Sequence, residues 1–314
     1  MGEAKRHSPD PMPSDARADE AAMKPPRRLF VAGARGTKRT KDPVPEVHMS
    51  FRTAGAPPPP AQVKDRHAII FVHGYNVSAA QSLDSAAHFF QRLQAAQQRD
   101  GHDLERFLYV LFTWPGDTGP LWFGDAQKFA QHAGVALYQF ARQLRDDQGA
   151  ADVSLVTHSL GAHVGLRSCS ILGERRFSGR TTTRYRNVLL LAPAVEDDVF
   201  HRPKLLEEYH FPDSPFGMTS LQMFASRADD VLKGAYLISE ADKALGFAGP
   251  ESMTPLQSLA RRVEELMPGE TFRFRLHDFS PSSTTIINPA LHAHHHSDYW
   301  NRDEQADYYV NFLA

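Results

Sequence analysis

The sequence predicts an α/β protein with a mostly parallel central sheet and helices on both of its faces. Short apolar runs such as HAIIFV and FLYVLF are typical of strands that are covered on both sides. Segments with helical spacing of apolar residues alternate with these runs, which indicates strand–helix–strand units and parallel pairing. The composition, 41% hydrophobic and 23% charged residues, is that of an ordinary globular protein.

The first 60 residues contain the least regular part of the chain. Residues 1–26 are polar, charged and proline-bearing, so they bury too little apolar surface to offset their ordering entropy, and we expect a mobile tail. RRLFVAG at 27–33 and EVHMSFRTAG at 46–55 are expected to form strands, and APPPP at 56–60 a stiff connector. We expect residues 27–314 to form a single domain.

From residue 67 onward, apolar strands and amphipathic helices follow one another. In the first helix, Leu83, Ala87, Phe90 and Leu93 share one side at helical spacing. The predicted strands are HAIIFVHG, FLYVLFTWP, DVSLVTHS, YRNVLLLAPAV, LQMFASRADD and TFRFRLHDFS, and the predicted helices are SLDSAAHFFQRLQAAQQRD, AQKFAQHAGVALYQFARQLRDD, LGAHVGLRSCSILGER, LARRVEEL and RDEQADYYVNFL.

The segment VSLVTHSLGAHVG places a serine where a buried strand gives way to a helix. Ligands of such sheets gather beyond the carboxyl ends of the strands, and Ser159 lies at one of these ends. A sharp turn there would raise its hydroxyl and leave the amide of Leu160 free at the helix start. Gly161 suits that tight turn, but Thr157 occupies the first glycine position of the usual G-x-S-x-G pattern.

Three other strand ends carry complementary groups. FVHGYN ends a strand in His73-Gly74, and the amide of Tyr75 could join that of Leu160 in an oxyanion hole. FASRADDVL brings acidic residues to the end of a later strand, and HAHHHSDYW supplies imidazoles after the last one. Serine, acid and histidine in this chain order are typical of one hydrolase fold.

Taken together, FVHGYN, TWP at 113–115, THSLG at 157–161 and LAPAVEDDVF at 191–200 resemble the motifs of the α/β-hydrolase superfamily. The chain is most similar to a poorly characterised bacterial branch of serine hydrolases, from about residue 27 to its C-terminus. The resemblance implies the α/β-hydrolase fold and a Ser-His-Asp triad. It implies no particular substrate. The segment at 201–218, at the usual place of a cap, is too short for a cap domain, so we expect no large one.

The resemblance also ranks the candidates for the acid and the base. In similar hydrolases the acid is followed by one residue and then by two apolar residues, and Asp229 in DDVL fits this position. Asp230, Glu196 and Asp197 remain alternatives. His296 fits best as the base, because a small residue and an aromatic segment follow it. The alternatives for the base are His292, His294 and His295.

These residues predict a serine hydrolase that cleaves a small-molecule carboxylic ester through an acyl-enzyme. Amide or thioester cleavage and a catalytically inactive binding or scaffold protein remain alternatives, the latter because of Thr157. Trp114 and Trp122 are candidates for the wall of a substrate pocket, with packing as the alternative role. We interpret His158 and His73 as structural histidines.

Charge and composition narrow the functional class further. The net charge is −2, so no bulk positive field attracts nucleic acid. No stretch approaches the roughly 18 apolar residues of a membrane span. The single Cys169 favours a reducing cytoplasm, although the twin arginines of RRLFVAGARG leave export open. We expect no cofactor and, at the histidine cluster, no metal, because spaced cysteine or acidic ligands are missing.

Overall fold

The computed structural model describes most of the chain from residue 29 to the C-terminus. The predicted tail at 1–26, the predicted strand at 46–55 and most of the connector at 56–60 lie outside the described residues. So do residues 202–210, between β5 and β6. The described residues are 29–33, 60–119, 122–201, 211–236, 243–285 and 288–314.

Seven strands form one sheet in the order β1-β3-β2-β4-β5-β6-β7, and every neighbouring pair is parallel. This confirms the predicted parallel sheet. Each residue of β2 and of β3 is buried, as expected for strands that are covered on both faces. The strands are β1 (Leu29–Gly33), β2 (His67–Val72), β3 (Phe107–Thr113), β4 (Asp152–His158), β5 (Tyr185–Leu191), β6 (Met218–Ala225) and β7 (Arg273–Asp278).

Two pairs of helices pack against each other beside the sheet. The helix at 79–99 packs against the helix at 303–313, and the helix at 123–142 packs against the helix at 161–177. None of the helices in the described part of the chain combines the length and apolar character that a membrane span requires. The chain between β5 and β6, residues 192–217, is too short for a separate cap domain. The helices are α1 (Ala79–Arg99), α2 (Phe123–Arg142), α3 (Gly161–Phe177), α4 (Leu245–Ala248), α5 (Thr254–Leu266) and α6 (Asp303–Leu313).

The buried face of α1 differs from the prediction at one position. Leu83 is 45% exposed, whereas Ser82, Ala86, Phe89 and Leu93 are buried. The buried residues follow the helical repeat, so the side chain one position after Ser82 faces away from the sheet. The sequence pattern identified the helix and the buried positions Phe90 and Leu93 correctly, and it was wrong at Leu83.

The junction between β4 and α3 explains how the chain accommodates Thr157. Thr157 is completely buried, and its hydroxyl donates a hydrogen bond to the carbonyl of Leu189 at 3.5 Å. A Cβ atom on Gly165 would lie 2.7 Å from Cγ2 of Thr157 and 3.0 Å from Cδ2 of Leu155. The volume that threonine adds at 157 is therefore matched by the missing side chain at 165.

We expect Gly165→Ala to lower the free energy of unfolding by about 1–3 kcal/mol, because the added methyl group overpacks this junction. Thr157→Ser removes Cγ2 and keeps the hydroxyl, so the double variant should regain part of the loss. Urea unfolding of the two single variants and the double variant measures the coupling between the two positions.

Gly124→Ala is the matched control, because a Cβ atom there would meet nothing within 4 Å. It should not destabilise the protein. A Gly165→Ala variant as stable as the wild type would contradict the packing account, as would a double variant whose losses simply add.

Candidate active site

Ser159 occupies the turn between β4 and α3 in a left-handed backbone conformation, with φ of +54°. This region is strained for a residue with a side chain and typically costs about 1–3 kcal/mol. Backbone hydrogen bonds hold it: the amide of Ser159 donates to Leu191 at 3.0 Å, and its carbonyl accepts from Ala162 and Ala194 at 3.0 and 3.1 Å. The turn is thereby tied to the end of β5.

The end of β2 passes directly against this turn. A Cβ atom on Gly161 would lie 2.6 Å from the carbonyl oxygen of His73 and 2.7 Å from that of Val72. A Cβ atom on Gly74 would lie 2.7 Å from Cβ of Ser159. Glycine is needed at both positions because two backbone segments meet there. The loop that contains Gly74 is consequently in contact with the serine.

His73 and Trp114 hold this loop through two hydrogen bonds, both donated by Trp114. Trp114 donates its indole N–H to the carbonyl of His73 at 2.8 Å and its backbone N–H to Nε2 of His73 at 3.2 Å. Nδ1–H of His73 donates to the carbonyl of Gly74 at 2.9 Å. The two rings stack with 5.6 Å between centroids. The structure therefore places Trp114 in the core, where it has no exposed surface, rather than in an open pocket wall.

The loop after β2 also joins the loop after β3. Asn76 donates its amide to the carbonyl of Gly116 at 2.7 Å, and the Tyr75 hydroxyl donates to the carbonyl of Gly119. Tyr75 packs edge-on against Phe123 with 5.2 Å between ring centroids. Trp122, at the start of α2, is 59% exposed. We refer to Tyr75, Trp122 and Phe123 as the aromatic rim.

Asp229 and His296 are joined by a buried hydrogen bond. Nδ1–H of His296 donates to Oδ2 of Asp229 at 2.8 Å, and the Asp229 side chain is fully buried while that of His296 is 16% exposed. The amide of Leu232 donates to the other carboxylate oxygen, Oδ1, at 3.0 Å. Both oxygens of Asp229 thus have donors, and Nε2 is the ring nitrogen of His296 that Asp229 does not contact.

The other candidate histidines and the neighbouring acid have different partners. Asp230 is about 70% exposed, and its nearest imidazole is that of His295, at 4.0 Å. The backbone amides of His294 and His295 donate to Oδ2 of Asp298 at 3.0 and 2.9 Å, which shapes the turn before His296. His292 is buried, and its backbone amide donates to Pro289.

The two acids that follow β5 are tied to another segment of the chain. Glu196 forms an isolated antiparallel bridge with Ala244. The amide of Asp197 donates to the carbonyl of Lys243 at 3.1 Å, and its carbonyl accepts from the amide of Glu251 at 3.0 Å. Of the predicted acids, Asp229 is the one that the structure brings to His296.

His158 contacts His296 in a way that the sequence did not reveal. Its Nε2–H donates to the backbone carbonyl of His296 at 2.8 Å, and the two rings pack with 4.7 Å between centroids. Burial, with a further contribution from the neighbouring His296, lowers the pKa of His158 well below its ordinary value. His158 is therefore a neutral hydrogen-bond donor, in keeping with the structural role expected from the sequence.

Leu160 lies directly before α3, where the first amides of a helix have no acceptor within the helix. Tyr75 lies in the loop that contacts Ser159 through Gly74. The two residues predicted to supply oxyanion-hole amides are thus next to Ser159 in the chain, for Leu160, and next to Gly74, which contacts Ser159, for Tyr75.

One group of potential metal ligands occurs within the described residues, away from the histidine cluster. Asp198, His201 and Glu251 each place one ligand atom within 4.8 Å of the others. Nδ1 of His201 lies 4.0 Å from the carboxylate of Asp198 and 3.9 Å from that of Glu251. Ion pairs between a histidine and two carboxylates show the same distances without a metal, so we assign no metal to these three residues.

Comparisons with known proteins place the chain among α/β-hydrolases. No curated protein sequence matches it significantly. Solved structures that resemble it include esterase B from Lactobacillus Rhamnosis, with 13% identity, a TM-score of 0.42 and coverage of 79% of this chain and 74% of that one. The Pyrobaculum calidifontis esterase has 12% identity, a TM-score of 0.37 and coverage of 80% and 76%.

The match to a family model is more informative than these distant structural similarities. The model described as "Alpha/beta hydrolase of unknown function (DUF900)" matches residues 61–266. This range contains five of the seven strands, β2 to β6, and the serine turn, and it is well over half of the 314-residue chain. The chain therefore belongs to this family of α/β-hydrolases.

Proposed function

We propose that the protein is a serine hydrolase that cleaves carboxylic esters through Ser159, His296 and Asp229. The observation that carries this proposal is the buried Asp229–His296 hydrogen bond at the sheet edge that also holds Ser159. The three residues follow β4, β6 and β7, and the carboxyl ends of parallel strands lie at one edge. The direct contact of His158, the residue before the serine, with His296 supports the pairing of His296 with Ser159 in this proposal.

In the proposed mechanism, Nε2 of His296 accepts the proton of the Ser159 hydroxyl as its oxygen attacks the ester carbonyl. Asp229 keeps the proton of His296 on Nδ1 and stabilises the imidazolium that forms. His296 then donates the proton to the departing alcohol, which leaves an acyl group on Ser159. A water molecule, activated by the same imidazole, releases the acid and restores the enzyme.

The amides of Tyr75 and Leu160 are proposed to donate to the oxyanion of the tetrahedral intermediate. A donor of this kind is typically worth about 10²–10³-fold in kcat. Its contribution depends on rigid placement, because a donor that must reorganise during the reaction loses most of its advantage. The bonds between His73 and Trp114, which hold the loop of Tyr75, support this part of the proposal.

The aromatic rim is the proposed contact surface for the apolar part of the substrate. Trp122 is largely exposed. It lies beside Gly119, where a Cβ atom would be 3.8 Å from Cδ1 of Trp122, and the carbonyl of Gly119 accepts a hydrogen bond from the Tyr75 hydroxyl. Indole combines a large apolar area with a rigid shape. Trp114 has no such role in this proposal, because it is enclosed in the core and acts through His73.

The packing of Thr157 against Gly165 favours an enzyme over an inactive scaffold. Thr157, in the first glycine position of the serine motif, is the residue that favoured an inactive protein in the sequence analysis. Because Gly165 makes room for its methyl group, the turn still adopts the strained left-handed conformation at Ser159. A functional nucleophile requires that conformation, whereas a scaffold has no need to retain the strain.

Ser159→Ala should abolish hydrolysis of p-nitrophenyl esters and labelling by a fluorophosphonate probe, because the attacking oxygen is lost. Its melting temperature should stay within about 2 °C of the wild type, since one buried hydroxyl contributes little net stability. Esters of increasing chain length, together with a matched anilide and thioester, identify the acyl group and the bond that is cleaved.

Ser170→Ala is the control, because Ser170 is also a buried serine of the same region but lies well inside α3. That variant should keep wild-type turnover and labelling. Continued ester hydrolysis by Ser159→Ala would rule out Ser159 as the nucleophile.

Asp229→Asn should lower kcat by about 10³–10⁴-fold, because an amide at 229 no longer favours the proton on Nδ1 or the imidazolium. Asp230→Asn is the matched control: the same change on an exposed side chain should alter kcat by less than about twofold. Steady-state kinetics on the same ester compares the two variants. A larger loss in Asp230→Asn than in Asp229→Asn would reverse the assignment of the acid.

A further inference from the structure

We infer that His158 is a positioning residue that holds the imidazole of His296 through the backbone of that residue. This inference deepens the proposed function and rests on it. The starting observation is that His158 donates Nε2–H to the carbonyl of His296 at 2.8 Å while its ring packs on the imidazole. His158, which directly precedes the proposed nucleophile Ser159, thus makes both contacts with the proposed base His296.

The hydrogen bond from His158 complements the one to Asp229. Asp229 holds Nδ1 of the imidazole, which leaves the ring free to follow any movement of the loop that carries it. His158 holds the main chain of the same residue. With the side chain tied to the end of β6 and the backbone tied to the end of β4, His296 is fixed at both ends relative to the sheet.

His158 is itself held on two sides. The ring of Trp300 packs edge-on against it with 4.6 Å between centroids, and Trp300 in turn packs edge-on against Phe71 of β2 at 5.8 Å. On the other side lies Gly74, where a Cβ atom would come within 3.2 Å of Nδ1 of His158. One imidazole therefore contacts the loop of the base and the loop of the proposed oxyanion hole.

The chemistry of the donor suits this position. Burial and the neighbouring His296 and His73 rings lower the pKa of His158, so it donates a hydrogen bond without carrying a charge. A cationic side chain here would oppose the positive charge that His296 acquires when it takes the serine proton. A neutral imidazole gives the same hydrogen bond without that repulsion.

The test compares two replacements of similar bulk. His158→Leu removes the donor, and we expect kcat on a p-nitrophenyl ester to fall by about 10–100-fold, because catalysis is sensitive to small displacements of reacting groups. KM should change by less than about twofold, since the substrate does not contact His158. His158→Gln, whose amide N–H can replace Nε2–H, should recover most of the lost kcat.

His67→Leu is the matched control for the loss of a buried histidine. His67 shares a hydrogen bond with the Ser154 hydroxyl at 2.8 Å, and burial lowers its pKa to about 4. It lies at the start of β2, at the opposite edge of the sheet from the site. This variant should lose stability and keep the kcat of the wild type.

A second readout does not depend on turnover. The Nδ1–H proton of His296 should give a downfield NMR signal in the wild type and in His158→Gln, and a weakened or absent signal in His158→Leu at the same temperature. If His158→Leu does not fold, His158→Met takes its place as the variant without a donor.

Wild-type kcat and an unchanged imidazole signal in the variant without a donor would overturn the inference. Equal losses in the leucine and glutamine variants would also overturn it, because packing alone would then explain the effect. Failure of wild-type labelling at Ser159 would instead refute the proposed function. The NMR comparison would then still decide whether His158 positions His296.

Discussion

The close approach between the end of β2 and the turn after β4 is the constraint on which the site depends. Gly74 and Gly161 allow two backbone segments to meet at a distance that a Cβ atom would prevent. This contact places the loop of Tyr75 beside Ser159, which adopts a left-handed conformation at the same turn. Parallel pairing of β2 with β4 keeps the two strand ends at the same level, so the contact follows from the sheet itself.

The polar groups around this contact form a connected set rather than separate pairs. Asp229 accepts hydrogen bonds from Leu232 and His296, and His296 in turn accepts one from His158. A buried carboxylate is costly unless its oxygens have donors, and both oxygens of Asp229 have them. In the proposed mechanism, reactivity depends on the rigid placement of these hydrogen-bond donors and of the Asp229 carboxylate.

Local patterns in the sequence were sufficient for the seven strands among the described residues and for the position of the serine turn. They were also sufficient for the family resemblance, which the family model confirms. They did not show that Leu83 is exposed, because polar Ser82 next to it takes the buried position in the first turns of α1. Nor could they show that Trp114 packs on His73, or that His158 reaches the backbone of His296. These contacts join residues 41 and 138 positions apart, and periodicity carries no information about such pairs. Periodicity likewise does not show that Gly165 packs against Thr157, which is the contact that makes glycine necessary at position 165.

The most direct test of the proposed site is a crystal structure of the protein after reaction with a phosphonate ester. The account predicts a covalent bond between phosphorus and Oγ of Ser159, with the phosphoryl oxygen about 2.7–3.1 Å from the amides of Tyr75 and Leu160. Nε2 of His296 should lie within hydrogen-bonding distance of Oγ of Ser159. Phosphorus bound elsewhere, or a phosphoryl oxygen turned away from both amides, would contradict the account.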